Sequence, residues 1–291
     1  MTTNALREIT QEEMTSYWRD GAVLLRKIMP QDWLERVAQG LEEARRNPGD
    51  MSTVSTDASG RGQLFADQFA SLRIAALKDV VAQSPAAAIA GKLQRTQHIR
   101  YYLDQIFYKE AGRVLPSSWH QDTPYLNIEG FDFVRTWIPV DVTPKAIGMK
   151  FVRGSHRWNA IFKALGPRDV GQKEQGGGKF SYGNAEFDQS LPAVPEIDRY
   201  PDSFDVIGWD AEPGDVVVFQ AHMLHAAGAM ENYPRQRRAF TIMWAGDDAR
   251  YRRRRGHSVP DLSSIRGVAH QDGDAFAKYP DVYPLVWSAQ G

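Results

Sequence analysis

Apolar and polar positions change their period along this chain. Near the start they recur at helical spacing, with Met14, Tyr17 and Trp18 on one face. Thr10 stands just before them with Glu13 three residues on, the pattern of a reciprocal capping pair. Asp20-Gly21 stops this helix, and Ala22-Val23-Leu24-Leu25 is a short apolar run expected to be a buried strand. Pro30-Gln31-Asp32 opens a second helix with Trp33, Val37 and Leu41 on one face, closed by Asn47-Pro48-Gly49-Asp50. Residues 51–65 are polar and rich in Gly and Ser, which predicts a loop. Ser84-Pro85 starts a further helix, with proline where its missing N–H costs nothing.

Beyond residue 97 the signal becomes one of strands. His98 to Lys109 is aromatic and β-branched, the first long strand of a core. Residues 134–140, 149–152, 205–209, 216–219 and 237–244 follow as further strands, separated by turns such as Lys145-Ala146-Ile147-Gly148 and Glu212-Pro213-Gly214-Asp215. Many short strands behind a helical front predict an α+β protein, mainly β, with a jelly-roll or cupin-like core. The expected organisation is a single domain, 1–291. Residues 1–97 form a helical N-terminal support, 98–248 the β core, and 249–291 a C-terminal extension. Residues 158–204 interrupt the core as a lid-like insertion, expected to be mobile around Gly171 to Lys179. No βαβ alternation and no G-x-G-x-x-G are present, which argues against a dinucleotide fold.

Composition narrows the class of function. The 291 residues are 42% hydrophobic and 24% charged, ordinary for a soluble globular protein, and the formal net charge of -1 gives no global field for nucleic acid or anionic membrane. The cluster Arg250 and Arg252 to Arg255 reads as a solvated face, and nucleic-acid binding is set aside. There is no cysteine, hence no disulfide framework, zinc–thiolate site or thiol nucleophile. No apolar run is long enough for a membrane span and MTTNALREIT lacks a secretory pattern, so a soluble, cytoplasmic protein is expected. A homo-oligomer is compatible with these features.

The chemistry concentrates in Trp119-His120-Gln121-Asp122-Thr123-Pro124. In an extended strand, His120 and Asp122 leave the same face, so one imidazole and one carboxylate converge. They are two members of a 2-His-1-carboxylate set that holds ferrous iron with coordination positions open. The third ligand must be a histidine just after a later strand. His225 meets that requirement, with Ala226-Ala227-Gly228 following to let backbone approach closely; His222, three residues earlier, is its rival. His156 reads as a structural histidine, and His98, His257 and His270 have no partner pattern. Arg237 and Arg238 are adjacent, so only one can face inward, and alternation does not choose between them. Gln105 and Lys109 share one strand face and line either a cofactor pocket or a cross-strand polar pair. Trp137 either packs beside a bound molecule or belongs to the core.

Taken in order, W-H-Q-D, the strand with Trp137, M-K-F-V-R-G-S-H-R-W, E-P-G-D-V-V-V-F, H-M-L-H-A-A-G and R-R-A-F resemble the phytanoyl-CoA dioxygenase family of iron(II)/2-oxoglutarate oxygenases. The resemblance covers residues from about Gln105 to Asp248. It implies a double-stranded β-helix, His120, Asp122 and His225 as iron ligands, and Arg237 as the grip on 2-oxoglutarate, since a planar guanidinium can hold a carboxylate through two bonds. It departs from the family's usual residues at Arg153 and at Gly148-Met149, positions expected to shape the pocket. The activity implied is oxidation, most simply hydroxylation, of an unactivated C–H bond in a small organic metabolite, consuming dioxygen and 2-oxoglutarate and releasing succinate and carbon dioxide. Two other classes compete on the residues alone: a divalent-metal hydrolase or isomerase, and a non-catalytic ligand-binding protein on a cupin-like barrel.

Overall fold

The computed structural model describes residues 3–57, 59–166, 173–176, 187–256 and 266–289. Four helices occur among them: α1 (Gln11–Asp20), α2 (Gln31–Arg46), α3 (Ala75–Gln83) and α4 (Ala86–Gln94). The strands are β1 (Ala22–Leu25), β2 (Thr53–Thr56), β3 (Leu64–Gln68), β4 (His98–Lys109), β5 (Gly112–Val114), β6 (Ile128–Glu129), β7 (Phe133–Pro139) and β8 (Met149–Val152). They continue with β9 (Lys173–Gly176), β10 (Val206–Gly208), β11 (Val216–Gln220), β12 (His225–Ala227), β13 (Met230–Tyr233), β14 (Arg237–Ala245), β15 (Arg250–Tyr251) and β16 (Leu285–Ser288). No helix among the described residues is long and apolar enough to cross a membrane.

The capping pair at Thr10 forms as expected: its hydroxyl accepts from the Glu13 N–H and the Glu13 carboxylate accepts from the Thr10 N–H. Gly21 ends α1 at φ +87°, and a Cβ there would stand 2.2 Å from Met223 Sδ and 2.3 Å from His156 Nδ1. Only glycine serves both the left-handed turn and the close packing behind the loop that carries His225.

The strands form an antiparallel double-stranded β-helix. A large sheet runs β1-β11-β7-β14-β4-β3-β2-β9, with β16 also on β4, and a small sheet runs β10-β8-β12. Alternation divides each central strand. Val216, Val218, Val134, Ile138, Phe240 and Ile242 point outward, into the core shared with the helices. Val217, Phe219, Trp137 and Ala239 point inward, against Phe151 of the small sheet. Both faces of β7, β11 and β14 are therefore covered, which explains why these strands read as nearly unbroken apolar runs.

Three departures from expectation bear on the site. Residues 51–65 are not a plain loop: β2 lies within this stretch and β3 begins in it, and the pair extends the large sheet beyond β4. Polar side chains alternating along a sheet edge look like loop composition when the partner strand is unknown. Helix α3, unmarked by any cap signal, packs on α2 through Leu77 and Val80. Of the insertion 158–204, the described flanks are packed rather than loose. Phe162 and Ile197 are buried with Trp119 and Leu224, and β9 pairs with β2. The stretch from Gly171 to Lys179, expected to be mobile, lies outside the described residues except for β9.

Candidate metal centre

His120 and His225 form an isolated antiparallel bridge, each N–H donating to the other's carbonyl at 3.0 and 2.9 Å. The ring centroids stand 4.2 Å apart. Asp122 does not continue a strand as the sequence suggested. It adopts φ -75°, ψ -35° and opens a short 3-10 turn, Thr123–Tyr125. Its carboxylate reaches the imidazoles through this turn and not through strand alternation. One ligand atom from each of His120, Asp122 and His225 lies within 4.8 Å of the others, the one such group among the described residues.

The histidines are set up to ligate through Nε2. His120 Nδ1 lies 2.7 Å from the Ser118 carbonyl and His225 Nδ1 lies 3.0 Å from the Met223 carbonyl. A carbonyl only accepts, so each Nδ1 carries the proton and each Nε2 presents its lone pair. Burial lowers the pKa of His120, and burial together with the neighbouring His120 pushes His225 down to about 3, so both are held neutral, the form that binds a metal. Asp122 Oδ2 is buried and accepts no hydrogen bond among the described residues. Two free imidazole nitrogens and an under-satisfied carboxylate fit a divalent cation.

A cavity of about 260 Å³ opens from these residues and ends at Arg237. The ladder registers align Arg237 with Lys109, and both side chains are buried inside the barrel. Arg237 Nη1 donates to the Ile147 carbonyl at 2.7 Å, and its guanidinium lies over Trp137 at 5.8 Å. Its Nε is buried with no hydrogen-bond partner among the described residues, and burial pushes its pKa down to about 10. Lys109 Nζ donates to the Gly228 carbonyl at 3.3 Å, and burial, then the charge of Arg237, hold its pKa far below the usual lysine range. Two adjacent buried basic side chains, neither paired with a carboxylate among the described residues, fit an anionic ligand. Arg238 points the other way, into ion pairs with Asp141 at 2.8 Å and Glu42 at 2.7 Å. The choice between the two arginines, open on alternation alone, is made by which strand face closes the barrel. Gln105 lines the same cavity, its Oε1 accepting from Arg135.

The remaining candidates fall outside the centre. His222 stacks on Phe131 with ring centroids 5.9 Å apart, and burial pushes its pKa down to about 4. His156 Nε2 donates to the Trp18 carbonyl at 3.2 Å, a structural bond as expected. His98 pairs with Asp247, His270 packs between Tyr251 and Tyr279, and His257 lies outside the described residues. Met149 lines the cavity, whereas Arg153, expected to shape it, ion-pairs with Asp20 and Asp205. Gly228 serves close packing and not the metal: a Cβ there would stand 2.0 Å from the Ala146 carbonyl oxygen. Within the basic cluster, Arg254 donates to the Leu126 and Ile128 carbonyls and so props the cavity wall. Sequence reasoning missed Arg135, a buried arginine on β7 beside Asp122. The one signal for it was an arginine in an otherwise apolar strand.

Fold and site together define a non-haem iron oxygenase of the 2-oxoglutarate-dependent class. The family model for phytanoyl-CoA dioxygenase (PhyH) matches residues 17–239, and the chain belongs to that family. None of the curated proteins matches the sequence. Among solved structures, the chain resembles the non-haem α-ketoglutarate-dependent carbocyclase SnoK of nogalamycin biosynthesis, with TM-score 0.69, 20% identity and 99% of both chains covered. It also resembles the epimerase SnoN in complex with Fe3+, α-ketoglutarate and nogalamycin RO, with TM-score 0.69, 16% identity, and 95% of this chain and 98% of that one covered. A third is EctD from S. alaskensis with 2-oxoglutarate and 5-hydroxyectoine, with TM-score 0.65, 13% identity, and 92% and 86% covered. Family membership decides against the hydrolase and binding-protein alternatives.

Proposed function

We propose that this enzyme hydroxylates an unactivated C–H bond of a small, uncharged organic molecule that carries hydroxyl or carbonyl oxygens. The observation that carries the reading is the distribution of charge in the cavity. Among the described residues, the ionic side chains lining it are Asp122 and Arg135 at the metal end, beside the neutral His120 and His225, and the basic pair Lys109 and Arg237. The rest of the wall is apolar or neutral polar. Leu103, Phe107 and Tyr125 offer apolar surface, while Thr53, Ser55 and Gln68, from the sheet extension, offer hydroxyl and amide groups. A charged substrate group would be desolvated there with no partner among the described residues.

When bound, iron(II) with 2-oxoglutarate and dioxygen supplies the oxidising power, releasing succinate and carbon dioxide. The chain's own residues do the rest. His120 and His225 offer Nε2 and Asp122 a carboxylate oxygen to the metal. Arg237 holds the distal carboxylate of 2-oxoglutarate, with Lys109 as a second cationic contact and Trp137 as a flat support. The described start of the insertion, up to Gly166, reaches the site. Its Leu165 and Gly166 line the cavity, and the Tyr125 hydroxyl both donates to the Leu165 carbonyl and accepts from its N–H at 2.9 Å. Gln121 ties the same arm down by donating to the Ala160 and His222 carbonyls and accepting from the Phe162 N–H. Excluding water there protects the reacting centre.

The test is succinate release by the purified protein with Fe(II), ascorbate and 2-oxoglutarate against a panel of neutral oxygenated and charged compounds, followed by product mass under oxygen-18 gas. Stimulation by neutral compounds and one labelled oxygen in the product are expected. A product two hydrogens lighter and unlabelled would replace hydroxylation by ring closure or desaturation, and stimulation by charged compounds alone would overturn the substrate class.

A further inference from the structure

The two oxygens of Asp122 keep different company. Oδ1 lies 3.8 Å from His225 Nε2, on the side of the imidazoles. Oδ2 lies 3.5 Å from Nε of Arg135, an ion-pair contact and not a hydrogen bond, and that side chain is 5% exposed. Arg135 is fixed from several directions. The registers place it in one inward row with Phe219, Met243 and Leu103 across β11, β7, β14 and β4. Its Nη2 donates to Gln105 Oε1 on β4, and its guanidinium lies 6.0 Å from the centroid of the Phe219 ring.

A carboxylate beside a dication can ligate through one oxygen or both. Ligation through both would consume a position that 2-oxoglutarate or dioxygen needs, and this chemistry depends on open positions. We propose that Arg135, braced by Gln105, is a positioning residue that reserves Oδ2 of Asp122 and thereby confines this ligand to one oxygen. The role asks for arginine: a planar fork can face the carboxylate with Nε while an Nη holds the brace, which a lysine ammonium at the end of a flexible stem cannot do. It also gives Gln105 a function through Arg135 and not through direct contact with a ligand. The inference rests on His120, Asp122 and His225 being the ligand set.

Electrostatics set a signature that a merely structural role would not give. A guanidinium this near the centre repels the dication while it restrains the carboxylate. Arg135→Met lifts the repulsion and frees Oδ2, so metal should bind at least as tightly as in the wild type while 2-oxoglutarate binds the metal-loaded protein worse. The experiment is anaerobic titration of wild type, Arg135→Met, Arg135→Lys and Gln105→Leu, first with Fe(II) or Co(II). A second titration adds 2-oxoglutarate and follows the visible charge-transfer absorption of the ferrous complex. Arg135→Met should raise the Kd for 2-oxoglutarate about tenfold or more, the scale of a lost outer partner of a metal ligand. Gln105→Leu should give a smaller rise and Arg135→Lys should not restore the wild-type value. Should Arg135→Met not fold, Gln105→Leu carries the comparison, since it leaves the charge and removes only the brace. An unchanged 2-oxoglutarate titration, or metal and 2-oxoglutarate binding weakened together, overturns the proposal. A wild-type protein that binds no metal overturns the ligand set itself, and this inference with it.

Discussion

His120 and His225 are held side by side by a reciprocal pair of backbone hydrogen bonds, although they lie in distant parts of the chain. The same bridge sets both rings so that each Nδ1 meets a carbonyl two residues before it. The spacing of the two metal-binding nitrogens is thus a property of the backbone, in place before any metal arrives. Replacing either ring should remove a ligand and leave the bridge intact.

His120→Ala, Asp122→Ala and His225→Ala are each expected to abolish turnover and stoichiometric Fe(II) binding, with Tm close to wild type. His222→Ala should retain Fe(II) binding. Equilibrium metal titration with far-UV circular dichroism checks this, and loss of iron in His222→Ala with retention in His225→Ala would reverse the assignment.

Arg237→Ala should raise the KM for 2-oxoglutarate far more than the Fe(II) requirement. The lost charged hydrogen bonds are worth about 1.5–3 kcal/mol, or about 10- to 150-fold in affinity. Arg238→Ala should leave that KM unchanged and lower Tm, because its partners Asp141 and Glu42 lie outside the cavity. Steady-state kinetics on the two variants separates the roles.

Gly228→Ala should damage the same end of the site indirectly. The added methyl would meet the Ala146 carbonyl, and overpacking of this kind costs about 1–3 kcal/mol. The displaced turn includes Ile147, whose carbonyl fixes Arg237. A lower Tm together with a raised KM for 2-oxoglutarate is expected; a variant with wild-type values of both would refute the coupling.

Stability should fall on mild acidification, with His222 contributing. Its folded-state pKa is pushed down to about 4 by burial first and by the nearby Arg254 second, against the opposing charge of Asp248; His156 adds to the lowering. In the unfolded chain a histidine titrates near ~6.5, so as the pH falls the unfolded state takes up the proton first. The stability of neutral burial is therefore complete above about pH 6.5 and is lost progressively down to about pH 4. His222→Gln should flatten the dependence of Tm on pH across this window in metal-free protein, and an unchanged slope would show that other groups set the acid limb.

The product should carry no halogen even in high chloride. On the proposed ligand set Asp122 takes the third protein-ligand position, which leaves a halide no place among the protein ligands. Mass spectrometry of the product formed in chloride buffer decides.

Local pattern determined a good deal by itself. The Thr10–Glu13 cap and the strand from His98 to Lys109 are each written in residues close together, and short-range hydrogen bonding or alternation is enough to read them; His120 and Asp122 were legible as a pair, but strand alternation is not what brings them together. The pairing of β2 with β3 was not legible, because a polar strand is recognised only by the neighbour that satisfies its backbone. Alternation on β14 left Arg237 and Arg238 equivalent, since both rows of that strand are covered, one by the small sheet and one by the helices. Only closure of the barrel distinguished them, by turning one row toward a cavity. Tertiary structure likewise decided the reach of Asp122, made by a 3-10 turn, and the place of Arg135 beside it. Those contacts join β4, β7, β11 and β14, and their geometry follows from the registers of three ladders, which no short stretch of sequence contains.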